Sequence, residues 1–253
     1  MLKKIIFLCI LWVSIFGYSQ NTTLFNTATN AYNKGDYNSA IKNYLKIIEN
    51  GEHSAALYFN LGNSHYKLNE IAPSIYYYEK ALLLKPNDSE ILNNLSYAQN
   101  MTLDAFETLP ETEFSKIYKS VIGIFSFDQW SYIAILFLLL FVLLYIAFKY
   151  YNYSSKKRIA FIGSVVSLFV VVLTLTFAFL QKEAFNSKQP AIVFSEEIGI
   201  KLDPNLSSQE VFRLHAGTKV NVLEELNDWR KISLIDGQTG WVLLENIKLI
   251  KDF

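Results

Sequence analysis

Two long apolar runs constrain this chain more than any other feature. Trp130 to Phe148 reads WSYIAILFLLLFVLLYIAF, Ile159 to Leu180 reads IAFIGSVVSLFVVVLTLTFAFL, and neither holds a charged side chain. At about 1.5 Å of rise per residue, a helix of either length crosses a hydrocarbon core of roughly 30 Å. Lipid offers the backbone no hydrogen bonds, so each run is expected to be α-helical. The connection KYYNYSSKKR sets Lys149, Lys156, Lys157 and Arg158 beside the two apolar ends. The positive-inside bias assigns that connection, residues 149–158, to the cytoplasm, and the portions on either side of the pair to the outer compartment. Tyr132, Tyr145, Tyr150, Tyr151 and Tyr153 cluster near the boundaries, where amphipathic rings favour the interface. The alternative is a buried pair in a soluble protein, but buried helices are usually shorter and carry an occasional charge. With no ionisable group inside either run, a proton relay or ion path lacks its working parts. The pair is expected to be an anchor, with transmembrane helices at 130–148 and 159–180 in the inner membrane.

The N-terminus fits export. Lys3 and Lys4 precede an apolar core, Ile5 to Phe16, and Gly17 and Ser19 stand at the small-residue positions of a signal peptidase site. A signal peptide over 1–19 is expected. Cys9, the only cysteine, lies within that core, so the mature chain has neither a disulfide framework nor a thiolate metal site. Lys plus Arg and Asp plus Glu number 23 each, which leaves no basic footprint for nucleic acid.

Between the leader and the anchor, residues 20–103 are expected to form helical repeats. Tyr58, Leu61, Gly62, Tyr66, Ser74, Tyr78, Ala81 and Pro86 follow the tetratricopeptide pattern of aromatic, small and closing residues. One repeat length earlier stand Leu24, Thr27, Ala28, Tyr32, Ala40, Tyr44 and Ile47, with Gly35-Asp36-Tyr37 as the turn; one length later stand Leu92, Leu95 and Ser96. This segment resembles two tetratricopeptide repeats and a capping helix. The resemblance implies a groove for peptides or partner helices rather than a reaction. Its groove positions are Asn26, Thr29, Asn33, Asn60, Asn63, Lys67, Asn93, Asn94 and Tyr97. An asparagine-lined surface can hydrogen-bond an extended backbone, or it can be a solvated polar face. The carboxylate-clamp pattern of some relatives is not matched, because Phe25, Thr29 and Glu90 replace its members and only Asn60 fits.

Residues 104–129 begin as an acidic, proline-interrupted linker. After Pro110, Phe114, Ile117, Tyr118, Val121, Ile122 and Phe125 recur at helical spacing. That stripe is expected either to lie along the outer leaflet or to pack on the last repeat helix. Beyond the anchor and a polar spacer at 181–189, the period changes to that of strands. Five are expected, around 191–193, 211–214, 219–223, 229–234 and 240–243, separated by turns at Asp203-Pro204-Asn205, Ala216-Gly217, Asn227-Asp228 and Asp236-Gly237. The run from HAGTKVNVLE through NDWRKI to DGQTGWV resembles a bacterial SH3 domain over 190–253. The resemblance implies a small SH3-like β-barrel that binds peptides or peptidoglycan, with Phe194, Trp229 and Trp241 as ligand candidates. Phe212 belongs to the same set, and in so small a barrel such aromatics are more often core than ligand platform.

No catalytic constellation is present in this pattern. His53, His65 and His215 lack metal-ligand spacing, and no phosphate loop or nucleophile elbow occurs. No cofactor is expected. The chain is expected to be a multidomain α + β membrane protein: helical tetratricopeptide repeats, a two-helix transmembrane hairpin and a small SH3-like β-barrel. That order, behind a signal peptide, resembles the BatE-like proteins of bacterial aerotolerance operons. The resemblance implies a non-enzymatic partner role beside von Willebrand A-type membrane proteins in the cell envelope.

Overall fold

In a computed structural model of the protein, residues 21–104 and 113–252 are described; the expected signal peptide with Cys9, and the acidic segment 105–112, lie outside them. The chain divides into two units. One combines the residues before the apolar pair with those after it, and the other holds the pair and the segment leading into it.

The first unit begins with helices α1 (residues 21–33), α2 (Tyr37–Glu49), α3 (Ala55–Lys67), α4 (Ile71–Leu84) and α5 (Ser89–Gln99). Their turns repeat with the spacing of the sequence motif. Gly35 N–H donates to Tyr32 C=O at 2.9 Å and Asp36 N–H to Ala31 C=O at 3.0 Å; one repeat later Asn69 and Glu70 donate to Tyr66 and His65, each at 3.0 Å. Ser54 and Asp88, again one repeat apart, accept backbone N–H groups at the starts of α3 and α5. Ala28, Ala40, Tyr44, Tyr58, Leu61, Tyr78 and Ala81 are buried between the helices. Gly62 lets α3 and α4 close, since a β-carbon there would stand 2.5 Å from Cδ1 of Tyr78.

After the apolar pair the chain forms β1 (Gln189–Val193), β2 (Glu197–Lys201), β3 (Glu210–His215), β4 (Lys219–Leu226), β5 (Trp229–Ser233), β6 (Thr239–Leu243) and β7 (Ile247–Leu249). The sheet is antiparallel, in the order β3-β2-β6-β5-β4-β1-β7. This corrects the expected five-stranded barrel. Among the described residues the sheet has seven strands, and no ladder joins its edges β3 and β7, so closure is not shown. The additional strands carry weak sequence signals: β2 reads EIGIK, with a central glycine, and β7 spans only three residues. The four expected turns fall between or beside strands.

The sheet has its own interior and also contributes side chains to the core of the repeats. Along β1 the side chains alternate between two apolar environments: Ala191 and Val193 join the sheet interior, while Ile192 joins the repeat core. Ile250 is likewise fully buried with the repeats, and Phe194 and Ala216 pack against them. Full burial of one isoleucine contributes about 1.5–3 kcal/mol. The β3–β4 turn fits closely. Gly217 has φ +92°, and a β-carbon there would lie 2.9 Å from Cγ2 of Thr102 and 3.2 Å from Cδ1 of Ile75.

The second unit contains α6 (Glu113–Val121), a 3-10 turn at Ile122–Ile124, α7 (Phe127–Tyr150) and α8 (Ser154–Asn186). α7 and α8 are long and apolar enough to cross a membrane, by length and composition. Both extend past the apolar runs; Lys156, Lys157 and Arg158 stand early in α8, and only residues 151–153 connect the helices. The buried residues of α8 are Ala160, Ser164, Ser167, Val171, Thr174 and Ala178, a seam of mostly small side chains facing α7. Two of its hydroxyls bond within the helix: Ser164 donates to Phe161 C=O at 2.7 Å and Thr174 to Val170 C=O at 2.9 Å. Large apolar side chains such as Leu136, Leu143 and Phe169 point outward. Only 6% of the most apolar window of α7 is buried, and 28% of that of α8, whereas soluble core helices bury most of theirs.

Polar contacts fix the segment that enters the pair. Trp130 Nε1 donates to Ile122 C=O at 3.0 Å, Gln181 Nε2 donates to Ile122 and Phe125 C=O at 2.8 and 3.0 Å, and the Tyr118 hydroxyl donates to Leu180 C=O at 3.2 Å. Ser126 and Gln129 form a capping box at the start of α7. These contacts tie the end of the amphipathic stripe to the hairpin helices, an association that neither expectation for it named. The side chains of Phe114 and Ile117 lie outside the described set.

Candidate functional site

The repeat helices α1, α3 and α5 present the asparagines singled out from sequence. Asn26 and Asn33 are exposed on α1, Asn60 and Asn63 are half-buried on α3, and Lys67 is exposed at the end of α3. On α5, Asn94 is half-buried, while Asn93 and Tyr97 are exposed. Part of this set is structural. The Tyr78 hydroxyl donates to Asn63 Oδ1 at 2.6 Å, and Asn94 Nδ2 donates to the same oxygen at 2.9 Å. One repeat earlier the Tyr44 hydroxyl meets Thr29 Oγ1 at 3.0 Å, with Asn60 as a further partner. Each tyrosine of a second repeat helix thus ties its own first helix to that of the next repeat. Edge-on contacts repeat with it, Phe25 against Tyr44 and, more tilted, Phe59 against Tyr78. An asparagine amide both donates and accepts, so Asn63 and Asn94 keep polar groups for a ligand beyond this rung. Asn26, Asn33, Lys67, Asn93 and Tyr97 make no part of it and are the exposed members.

The outer face of the sheet has two cross-strand rows. Leu226 pairs with Trp229, which pairs with Leu243; beside them Glu224 pairs with Lys231, Lys231 with Trp241, and Trp241 with Lys201. Alternating neighbours Arg230, Ile232, Gly240 and Val242 are buried on the other face. Trp229 and Trp241 are therefore half-exposed surface residues rather than core. Lys231 Nζ donates to Glu224 at 2.9 Å and lies 5.9 Å from the Trp241 ring centre. Phe194 is placed elsewhere: its ring stands edge-on to Tyr76 at 5.6 Å, under Lys248 Nζ at 4.2 Å.

The residues that join repeats to sheet were not anticipated. Asp104 accepts from the His215 backbone N–H at 2.7 Å and from the Thr218 hydroxyl at 2.5 Å, and faces His215 Nδ1 at 2.6 Å. Burial pushes its carboxyl up, but the Thr218 and His215 hydrogen bonds outweigh burial and hold it below the ordinary carboxylate range. Lys80, buried on α4, pairs with Asp252, and the Tyr76 hydroxyl donates to the same carboxylate at 2.7 Å. For Asp252 too, burial acts upward and the Lys80 and Tyr76 hydrogen bonds prevail, lowering its pKa. Burial and the Asp252 charge push Tyr77 up to about 12. Lys219 Nζ donates to Glu79 at 2.7 Å. A signal existed in the sequence: α4 carries Tyr76-Tyr77-Tyr78 and β1 carries Ala191-Ile192-Val193, apolar on more than one face.

The histidines form no metal site; among the described residues no group of three or more His, Cys, Asp or Glu is placed to hold an ion. His65 stacks on Tyr77 at 5.3 Å with Nδ1 2.5 Å from Glu70, and burial lowers its pKa against the opposing pull of Glu70.

With this geometry in view, comparison with known families is specific at two places. Residues 55–88, covering α3 and α4, match the tetratricopeptide repeat. Residues 201–248, from the end of β2 into β7, match the bacterial SH3 domain. The chain carries both modules. Both are interaction domains without catalysis of their own; the repeat suggests protein–protein contacts and the bacterial SH3 domain suggests cell-wall binding. A comparison with curated proteins finds no match. Strand β1, which enters the repeat core, lies outside the matched SH3 segment.

Proposed function

We propose that the protein is a non-enzymatic, membrane-tethered scaffold of the bacterial cell envelope, docking protein partners through the α1–α3–α5 face of its repeats. The observation that carries this reading is the division of the repeat surface. The sheet engages α4 through Tyr76, Glu79 and Lys80, whereas among the described hydrogen bonds and ion pairs none joins a groove asparagine to the sheet. Asn26, Asn33, Lys67 and Tyr97 therefore stay available while the SH3 module is docked. The outward apolar side chains of α7 and α8 support the hairpin as a two-pass anchor in the inner membrane. The basic residues beside the 151–153 connection support its placement in the cytoplasm, with repeats and sheet outside. The order of modules supports partnership with von Willebrand A-type membrane proteins of an aerotolerance operon. Site-specific crosslinking in intact envelopes tests the groove. Lys67→Glu combined with Tyr97→Ala removes accessible groove chemistry and spares the Tyr78–Asn63–Asn94 rung; it is expected to abolish partner adducts without lowering thermal stability. Equal capture by the variant and the unaltered chain would overturn the groove assignment.

The exposed rows around Trp229 and Trp241 favour a second activity, retention on peptidoglycan. Tryptophan flanked by Lys201 and Lys231 suits a glycan ring next to a carboxylate-bearing stem peptide. Trp241→Ala is expected to lower cell-wall retention of the full chain while partner crosslinks through the repeats persist. Unchanged retention would exclude this face.

A further inference from the structure

We propose that the SH3 module completes the repeats, so that the outer unit folds only after the hairpin has crossed the membrane twice. The inference rests on the membrane-hairpin reading above. Repeat arrays need about three units to bury a continuous core, and here there are two repeats and one further helix. The missing cover is supplied from beyond the anchor. Ile192 and Ile250 are fully exposed to neither solvent nor the sheet interior but buried in the repeat core, and Phe194 and Ala216 extend the same contact. Charges reinforce it at separate points: Asp252 reaches the buried Lys80, Lys219 reaches Glu79, and Asp104 holds His215 and Thr218. The occupant of the outer face of α4 is therefore the chain's own segment 189–252.

That segment follows α8 in sequence, and the repeats precede α7. An even number of crossings delivers both halves to one side of a bilayer; a single crossing separates them. A hairpin that inserts wrongly leaves the apolar face of α4 uncovered. The joining of the two halves thus acts as a check on insertion, read out as folding of the outer unit.

The test uses the full chain in cells, with single reporter cysteines at Asn87 or Ser207, a membrane-impermeant thiol reagent, and trypsin added to spheroplasts. In the unaltered chain both reporters are expected to label, and a repeat fragment is expected to resist trypsin. Deleting 159–180 leaves one crossing; Ser207→Cys is then expected to fall silent and the resistant repeat fragment to disappear. A repeat fragment that still resists while Ser207→Cys is silent would overturn the proposal and leave the hairpin intact. Reporters that label from opposite sides in the unaltered chain, or Ser207→Cys labelling after the deletion, would overturn the hairpin reading itself. A second pair keeps the hairpin unchanged: Glu79→Lys is expected to lose the resistant fragment, and Glu79→Lys with Lys219→Glu to regain it. Resistance retained in Glu79→Lys, or loss that the double variant fails to reverse, would count against completion by the sheet.

Discussion

Asp104 shows how much one side chain can organise. Its carboxylate serves a backbone N–H, a hydroxyl and an imidazole from the β3–β4 turn. Removing a charged acceptor strands those donors, so Asp104→Ala is expected to destabilise the folded unit by about 1.5–3 kcal/mol in urea unfolding, with Asp104→Asn in between. Lys80 should show the opposite asymmetry. Lys80→Met keeps the packing and removes the buried charge, and is expected to cost less than Asp252→Ala, which leaves the ammonium without that carboxylate. Acid should weaken both clasps. Asp104 and Asp252 have folded pKa values below their unfolded ones, so their stabilisation is fully present above the unfolded carboxylate range and is lost as pH falls from there through the folded values. His65 adds to the same trend at higher pH: its folded pKa is lowered, so the unfolded chain gains the proton first as pH drops below about 6.5. A melting series from pH 8 to about pH 3 is expected to stay level at first, to decline once pH drops below about 6.5 and to decline further below the ordinary carboxylate range, and His65→Phe to remove the first decline. None of this was legible in the sequence, where Asp104 reads as the first residue of a linker. Its partners lie more than a hundred positions away, and no local spacing encodes a contact of that kind.

At the scale of elements the sequence was more informative, because helices and strands announce themselves by period. Turn and small-residue positions of the repeats recur with the spacing of the sequence pattern, and the tyrosine rung adds a reason for the asparagines that family pattern alone could not supply. Asn60, Asn63 and Asn94 looked like ligand groups; all three are also joinery between repeats. The sheet was harder. β2 and β7 are short or glycine-interrupted, and their pairing is decided by neighbours rather than by their own residues. The apolar run of β1 and the aromatic run of α4 were visible, and their excess of apolar faces is now explained by mutual burial. Two element-level tests follow from close approach. Gly217→Ala combines positive φ with a β-carbon 2.9 Å from Thr102 Cγ2, and is expected to loosen the β3–β4 turn from α4, raising amide exchange in both. Within the hairpin, Ser167→Leu inserts bulk into the α8 seam and is expected to weaken α7–α8 crosslinking in membranes, while outward-facing Phe169→Leu leaves it unchanged.

For the molecule as a whole, the apolar pair is inserted, in sequence, within the unit that holds both the repeats and the sheet. Asp104 touches the turn that lies beside Val193, since Gly217 N–H donates to Val193 C=O at 2.9 Å. Gln189, where the first unit resumes, is four residues back along the same strand, about 13 Å at the usual strand rise. A flexible Gly/Ser link of roughly eight residues can span that gap. Replacing 105–188 with such a link is expected to yield a water-soluble, monomeric protein that melts in a single transition. Two separate transitions would mean that the halves do not stabilise one another. The segment that carries the two apolar helices can thus be excised at these points, which is expected to leave a protein that crystallises or titrates without detergent.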